Sequence, residues 1–204
     1  MQKNKPDYYN NLDKVYSKIW KLLNFGLQNR DAPFHIPIFI CGDENKFDGR
    51  IVVMRGVDQK ENKIWFHSDI RSEKIKKLKS RSEGVLLFYN KDEKIQLRIF
   101  GNTKINYQND ITKRSWLKTA HMSRQCYLGD KAPGSNVSFP TSGLSENVDN
   151  LKYTIEQSEV GYKNFCVVEV FINSIEWLYL AAKGHRRAIF IFKNNIIQKK
   201  WLIP

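Results

Sequence analysis

Between residues 50 and 74 the chain sets out side chains suited to gripping an anion. Arg50 opens the run R-I-V-V-M-R, which ends at Arg55. The stretch S-D-I-R-S-E-K follows the apolar Ile64-Trp65-Phe66 and supplies Ser68, Ser72 and Lys74. If 50–57 and 63–68 pair as an antiparallel hairpin through the polar loop D-Q-K-E-N, the start of one strand lies beside the end of the next. Arg50, Ser68, Ser72 and Lys74 then gather at one end of a sheet. A helix starting near Arg71 directs free N–H groups and a positive dipole end to the same place. Hydroxyls, cations and a helix start together make a phosphate site. On these residues alone, a surface helix capped by Ser72 or Asp69, with solvated cations, accounts for the stretch equally well. Asp69 and Glu73 also bring negative charge.

The elements that must carry these residues can be read from periodicity. Asp7 is a candidate cap, and Leu12, Val15, Ile19, Leu22 and Leu23 recur at helical spacing as far as about Leu27. F-H-I-P-I-F-I is a strand candidate whose Pro37 argues for an edge or bulge. R-I-V-V-M-R-G-V and K-I-W-F-H-S are the hairpin strands, and a helix is expected over about 71–80 with Ile75 and Leu78 inward. G-V-L-L-F-Y-N and K-I-Q-L-R-I-F-G-N-T-K-I-N-Y are further strands, the second with a bulge or bend at Gly101. A helix over D-I-T-K-R-S-W-L-K-T-A-H-M places Trp116 and Leu117 inward and ends at His121. A long loop rich in Pro, Gly and Ser spans 128–145. A helix over about 148–158 and three closing strands complete the chain. Hairpin-linked strands with a few helices predict a mainly β (α+β) fold, a small antiparallel barrel with peripheral helices.

Composition narrows the functional classes. The chain has 204 residues, 41% of them hydrophobic, which suits one domain over 1–204, with an N-terminal helical part over 1–30. The net charge is +13, but lysine and arginine are scattered along the chain, as on a solvated surface. A basic barrel that stacks bases on aromatic strands is the nucleic-acid alternative, and the scatter argues against it. Cys41, Cys126 and Cys166 lie far apart with no C-x-x-C spacing, so no metal site or disulfide framework is expected. All three read as buried thiols of a reducing compartment. The N-terminus lacks the apolar core of a signal peptide, and no run of about 18 apolar residues is present. A cytoplasmic protein without a membrane span is expected.

The order of motifs resembles the pyridoxamine 5'-phosphate oxidase family, the FMN-binding split β-barrels. The resemblance rests on Arg50-I-V-V-M-Arg55, F-H-Ser68-x-x-x-Ser72-x-Lys74, L-L-F-Y, Gln96-x-x-x-x-Gly101, I-E-W-L-Y-L-A, His185-x-Arg187 and a closing Leu202-I-Pro204. It covers about 33–106 and 165–204 and implies an antiparallel split β-barrel with FMN as cofactor. By this resemblance Arg50 and Lys74 bind the phosphate and ribityl end of FMN, together with Ser68, which stands where the family has Thr, and Ser72. His67 stands where an aromatic is common. Backbone groups of Ile51, Val52 and Val53, on to Met54, run beside the isoalloxazine. Gln96 meets the polar edge of the ring, and Arg187 approaches from the C-terminal segment. Arg55, Lys183 and His185 lie on the substrate side. The family implies a homodimer whose two chains build each flavin site. The flavin carries the chemistry, so no catalytic side chain is assigned.

Three departures bear on the activity. Glu73 occupies the place of a second phosphate-binding Arg, with Arg71 two residues earlier. The segment S-W-L-K-T-A-H-M-S-R-Q-C-Y-L-G offers no clean counterpart of the substrate-phosphate clamp, with Ser123 and Arg124 the nearest polar groups. Leu178 stands where the vitamin B6 oxidases have an aromatic, with Trp177 beside it. The expected function is therefore an FMN-dependent oxidoreductase acting on a small, anionic substrate. The alternatives are a genuine pyridoxamine or pyridoxine 5'-phosphate oxidase and a flavin-binding protein without turnover.

Overall fold

A computed structural model describes residues 6–44, 46–182, 184–194 and 196–204. Its first helix, α1 (Leu12–Gln28), is capped by Asn11, whose side chain accepts from the Lys14 N–H. Asp7 does not start it; residues 7–10 form a turn instead. Val15, Ile19, Leu22 and Leu23 repeat at helical spacing and bury one face of α1. A single 3-10 turn, Pro33–His35, takes up the first part of the stretch expected as a strand.

The strands are β1 (Ile38–Gly42), β2 (Phe47–Ile51), β3 (Met54–Asp58), β4 (Lys63–Asp69), β5 (Glu83–Asn90), β6 (Ile95–Tyr107), β7 (Phe165–Tyr179), β8 (Arg186–Lys193) and β9 (Ile196–Leu202). They form one antiparallel sheet in the order β2-β1-β5-β6-β7-β4-β3, with β8 joined to β7 and β9 to β8. Strand β7 is the spine. One edge pairs with β6 along its length, while the other pairs first with β4 and then with β8. The sheet parts where β4 gives way to β8.

The run 50–57 is not one strand. It breaks at Val52 and Val53, so that Arg50 belongs to β2, which pairs with β1, and only β3 pairs with β4. The expected hairpin between the Arg50 strand and the Ser68 strand therefore does not exist. The Val52 N–H donates to the Pro37 carbonyl at the break, and the chain crosses there from one half of the sheet to the other.

A second irregularity lies at Gly101, where the β6–β7 register slips: Phe100 faces Ser174 and Gly101 faces Ile172, leaving Asn173 as the extra residue. A Cβ on Gly101 would stand 2.3 Å from the Phe171 carbonyl oxygen.

The remaining helices are α2 (Glu73–Ser80), α3 (Asp110–Lys118), and two single turns, α4 (His121–Arg124) and α5 (Glu146–Asp149). Helix α2 buries Ile75 and Leu78 as expected, and also Lys77, which pairs with Asp43 at 2.9 Å. In α3 Trp116 is buried, but Leu117, a third of a turn further round, is exposed. His121 opens α4 rather than closing α3. The helix expected over 148–158 stops at Asp149, because Leu151 takes a left-handed backbone with φ 57°; a 3-10 segment, Gln157–Asn164, follows. Cys41 and Cys166 are buried, but Cys126 is exposed. Among the described residues no helix is long and apolar enough to cross a membrane.

Candidate functional site

The first turn of α2 closes against the end of β4. Lys74 donates from Nζ to Ser68 Oγ at 2.9 Å and to Ser72 Oγ at 3.2 Å, and the two hydroxyls lie 3.3 Å apart. Ser72 is the N-cap residue, yet its hydroxyl does not cap the helix; it turns toward Lys74. Both serines are buried. Asp69 makes no ion pair with the ammonium, because its carboxylate is bound by Arg71, from Nη2 at 2.7 Å and Nε at 3.0 Å; its charge offsets only a small part of the depression of the Lys74 pKa. Glu73 pairs outward with Lys76. Lys74 therefore has no carboxylate partner among the described residues. Burial, and then the Arg50 guanidinium, hold its pKa below the ordinary lysine range. Arg50 lies on β2, where its guanidinium pairs with Asp48, near enough to lower the Lys74 pKa. Burial pushes the Cys166 thiol up to about 12, although Lys74 is nearby, so it stays a neutral thiol.

Gln96 lies in a different place. Ile95, Leu97 and Ile99 of β6 point into the core, so Gln96 between them points out. The register sets Tyr89, Gln96, Leu178 and Arg187 side by side on that outer face. Arg187 donates to Glu176 from Nη2 at 2.6 Å and Nε at 3.0 Å, and Arg98 binds the same carboxylate. Burial works against ionisation of Glu176, but the two guanidinium groups outweigh it and lower its pKa. The Gln96 amide makes no hydrogen bond among the described residues. His185 sits in the β7–β8 turn, with Nδ1 accepting from the Ala181 N–H at 3.1 Å. Lys183 lies outside the described residues.

His67 and Arg55 open onto a third region. His67 points away from Ser68, because neighbouring residues of a strand face opposite sides. It lines a cleft of about 670 Å³ with Arg55, Lys63 and Trp65, with Arg30 and His35 from the stretch that follows α1, and with the α3–α4 residues Arg114, Ser115, Lys118, Thr119 and Ser123. Burial first, and then Arg55, lower the His67 pKa to about 3, so the imidazole is neutral. Glu169 brings a carboxylate to the cleft wall, held by Lys63 at 3.0 Å and Asn106 at 2.8 Å. Arg30, Arg55, Arg114 and Lys118 have no carboxylate partner among the described residues.

Arg114, Ser115 and Lys118 of α3, with Thr119 just after it, were not legible as a site, whereas Ser123 stood out as one of the nearest polar groups. The i, i+4 spacing of 114 and 118 was the available signal, and it is also the spacing of any solvated helix. Arg124, by contrast, is buried, donating to Glu159, Ser158 and the Trp116 carbonyl; it braces α3 and does not reach the cleft.

Residues 36–107 match the family model described as pyridoxamine 5'-phosphate oxidase, FMN-binding domain. That stretch contains Arg50, Ser68, Ser72, Lys74 and Gln96. Over those residues the chain is similar to an FMN-binding domain of the pyridoxamine 5'-phosphate oxidase family. A pyridoxine/pyridoxamine 5'-phosphate oxidase of Psychrobacter cryohalolentis is 29% identical over 188 residues, 84% of this chain and 81% of the relative. An Arabidopsis thaliana pyridoxine/pyridoxamine 5'-phosphate oxidase 2 is 28% identical over 141 residues, 64% of this chain and 71% of the relative. An FMN-binding, pyridoxamine 5'-phosphate oxidase-related protein of Nostoc punctiforme superposes with a TM-score of 0.74, at 14% identity, over 99% of this chain and all of that one. PhzG of Burkholderia lata superposes with a TM-score of 0.70 at 12% identity, over 100% and 99% of the two chains. These structural likenesses establish the split-barrel fold.

The domain's cofactor is FMN, and the side chains present fit it. An ammonium between two buried hydroxyls, next to a guanidinium and short of a counter-ion, is the donor set that a phosphate dianion satisfies. An unpartnered, half-buried amide offers both donor and acceptor to the alternating N–H and C=O groups of a flavin.

Proposed function

We propose that this protein is an FMN-dependent oxidoreductase whose substrate is a small anionic molecule held in the cleft between β4 and α3. The carrying observation is that cleft: four cations without carboxylate partners, beside Trp65 and a neutral His67. Its volume is that of a small-molecule site. Trp65 and His67 add flat unsaturated surface, so a planar ring bearing a phosphate or carboxylate suits it. Bound FMN supplies the acceptor for the two electrons removed from the substrate. Arg50, Lys74, Ser68 and Ser72 hold its phosphate. Arg114, Lys118 and Arg55 hold and orient the anionic group of the substrate.

A second copy of the chain completes the site in this reading. Ser68 shares the core-side face with Phe66 and Cys166, whereas Gln96 and Arg187 face outward. No contact joins the two groups among the described residues. A partner's outer face laid against the phosphate cluster brings both to one flavin, and the exposed Ile38, Phe47, Ile51 and Tyr89 offer apolar surface for such pairing. The unpaired thiols Cys41 and Cys166 are consistent with a cytoplasmic location.

Genuine pyridoxamine 5'-phosphate oxidase activity is the second reading, favoured by Arg114, Ser115 and Lys118 of α3, which line the same cleft as Arg55. The protein should purify yellow and release FMN on denaturation. Incubation with pyridoxamine 5'-phosphate under oxygen then separates the readings: pyridoxal 5'-phosphate formation lost in Arg114→Ala supports the second. A yellow protein without that product, active on other planar anions, supports the first alone. A colourless protein that takes up no FMN sinks both.

A further inference from the structure

The segment ahead of α1 grips the turn between β7 and β8. Tyr9 is buried, and its hydroxyl donates to the Gly184 carbonyl. Its ring meets Tyr179 edge-on with centroids 5.1 Å apart. The Arg186 guanidinium lies 4.5 Å from the Tyr9 ring centroid, and Arg186 Nε donates to Asn10 Oδ1 at 3.0 Å. The segment therefore holds the last residue of β7, the middle of the turn and the first residue of β8. Within the turn, the Ala181 N–H donates to His185 Nδ1. That bond requires Nδ1 to be unprotonated, so the neutral ring carries its proton on Nε2, the nitrogen remote from Ala181. Gly184 has φ +95°, a left-handed conformation that glycine accepts, and its carbonyl is the atom Tyr9 holds.

We propose that Tyr9 is a positioning residue: by holding the Gly184 carbonyl it fixes the β7–β8 turn, and with it the orientation and tautomer of His185. Its value to the enzyme rests on the proposed placement of His185 on the substrate side. The contact itself does not, because it is made wholly within this chain. Residues far apart in sequence are joined here, so the turn can be rigid only once the N-terminal segment has docked.

The test is Tyr9→Phe in the FMN-loaded protein, which keeps the ring and its packing and removes the hydroxyl. Two readouts are needed. Nitrogen chemical shifts of the His185 ring report the tautomer; the protein has only four histidines to assign. Amide hydrogen exchange reports the turn. The expected result is a His185 ring that changes from one tautomer to a mixture, with amides of 180–186 exchanging about fivefold faster, the factor expected from one lost hydrogen bond. Exchange elsewhere in the barrel should be unchanged. Asn10→Ala, which removes the Arg186 acceptor at the surface, should move the same signals less. Unchanged ring shifts overturn the proposal, whether exchange is unaltered or rises uniformly; in the latter case Tyr9 serves only the fold. Neither readout needs turnover, so an absence of oxidase activity would count against the proposed function and leave this result standing.

Discussion

Lys74 is the residue on which the proposed cofactor site turns. It is a buried ammonium facing two hydroxyls, with a guanidinium as its charged neighbour. Charge-assisted contacts to a phosphate are worth about 1.5–3 kcal/mol, so Lys74→Met should weaken FMN binding by roughly ten- to a hundredfold and leave riboflavin binding nearly unchanged; fluorescence titration with both ligands checks this. In the apoprotein the sign reverses. The folded pKa of Lys74 is depressed, so the charged form destabilises the fold at neutral pH. Lys74→Met apoprotein should melt higher than wild type there, and the gap should close as pH rises through the folded pKa toward the ordinary lysine value. His67 is depressed as well, to about 3 from 6.5. Its contribution to stability is complete above 6.5 and is lost as pH falls toward about 3, because the unfolded chain takes up the proton first. His67→Gln, which cannot titrate, should shift the acid-unfolding midpoint to lower pH, as followed by circular dichroism. Arg50, Ser68, Ser72 and Lys74 were legible in the sequence as one cluster because their types and order are distinctive. Arg114 and Lys118 were not, because an exposed cation on a helix looks the same whether or not it borders a cleft.

Elements explain why the expected pairing failed while Ser68, Ser72 and Lys74 still come together. The expected hairpin would have brought Arg50 to Ser68 directly. In the fold Arg50 lies on β2, before the break at Val52 and Val53, and pairs with β1 rather than with the Ser68 strand. An unbroken β-branched run gives no local sign of a crossing, since both strands prefer the same residues. Gly101 did carry a sign, because a glycine inside a strand pattern marks a bulge or a close backbone approach. Gly101→Ala would set its Cβ 2.3 Å from a backbone oxygen and 2.9 Å from Val170 Cγ1. A loss of roughly 1–3 kcal/mol is expected from such overpacking, measurable as a lower denaturant midpoint with an unchanged slope. The helix expected over 148–158 failed for a reason invisible in the sequence: Leu151, a good helix former, is held in a left-handed conformation.

At the scale of the whole molecule, the cationic cluster and the Gln96–Arg187 row occupy opposite faces of one sheet. On the proposed reading the chain by itself presents two half-sites. Sedimentation equilibrium should report twice the mass of 24.0 kDa, and Arg187→Glu, which sets a second carboxylate against Glu176, should lower both the assembled fraction and FMN retention. A monomer that keeps FMN at full affinity would overturn the two-chain site. The slip at Asn173 bears on this arrangement. Upstream of it, Val168, Val170 and Ile172 face the core; downstream, Ile175 and Trp177 do. The extra residue swaps even for odd. A chain lacking Asn173 alone would bring Ile172 and Ile175 to a spacing of two, keep Ile175 and Trp177 inward and let β6 and β7 pair without a slip, so this one residue can be removed without turning the rest of the strand over.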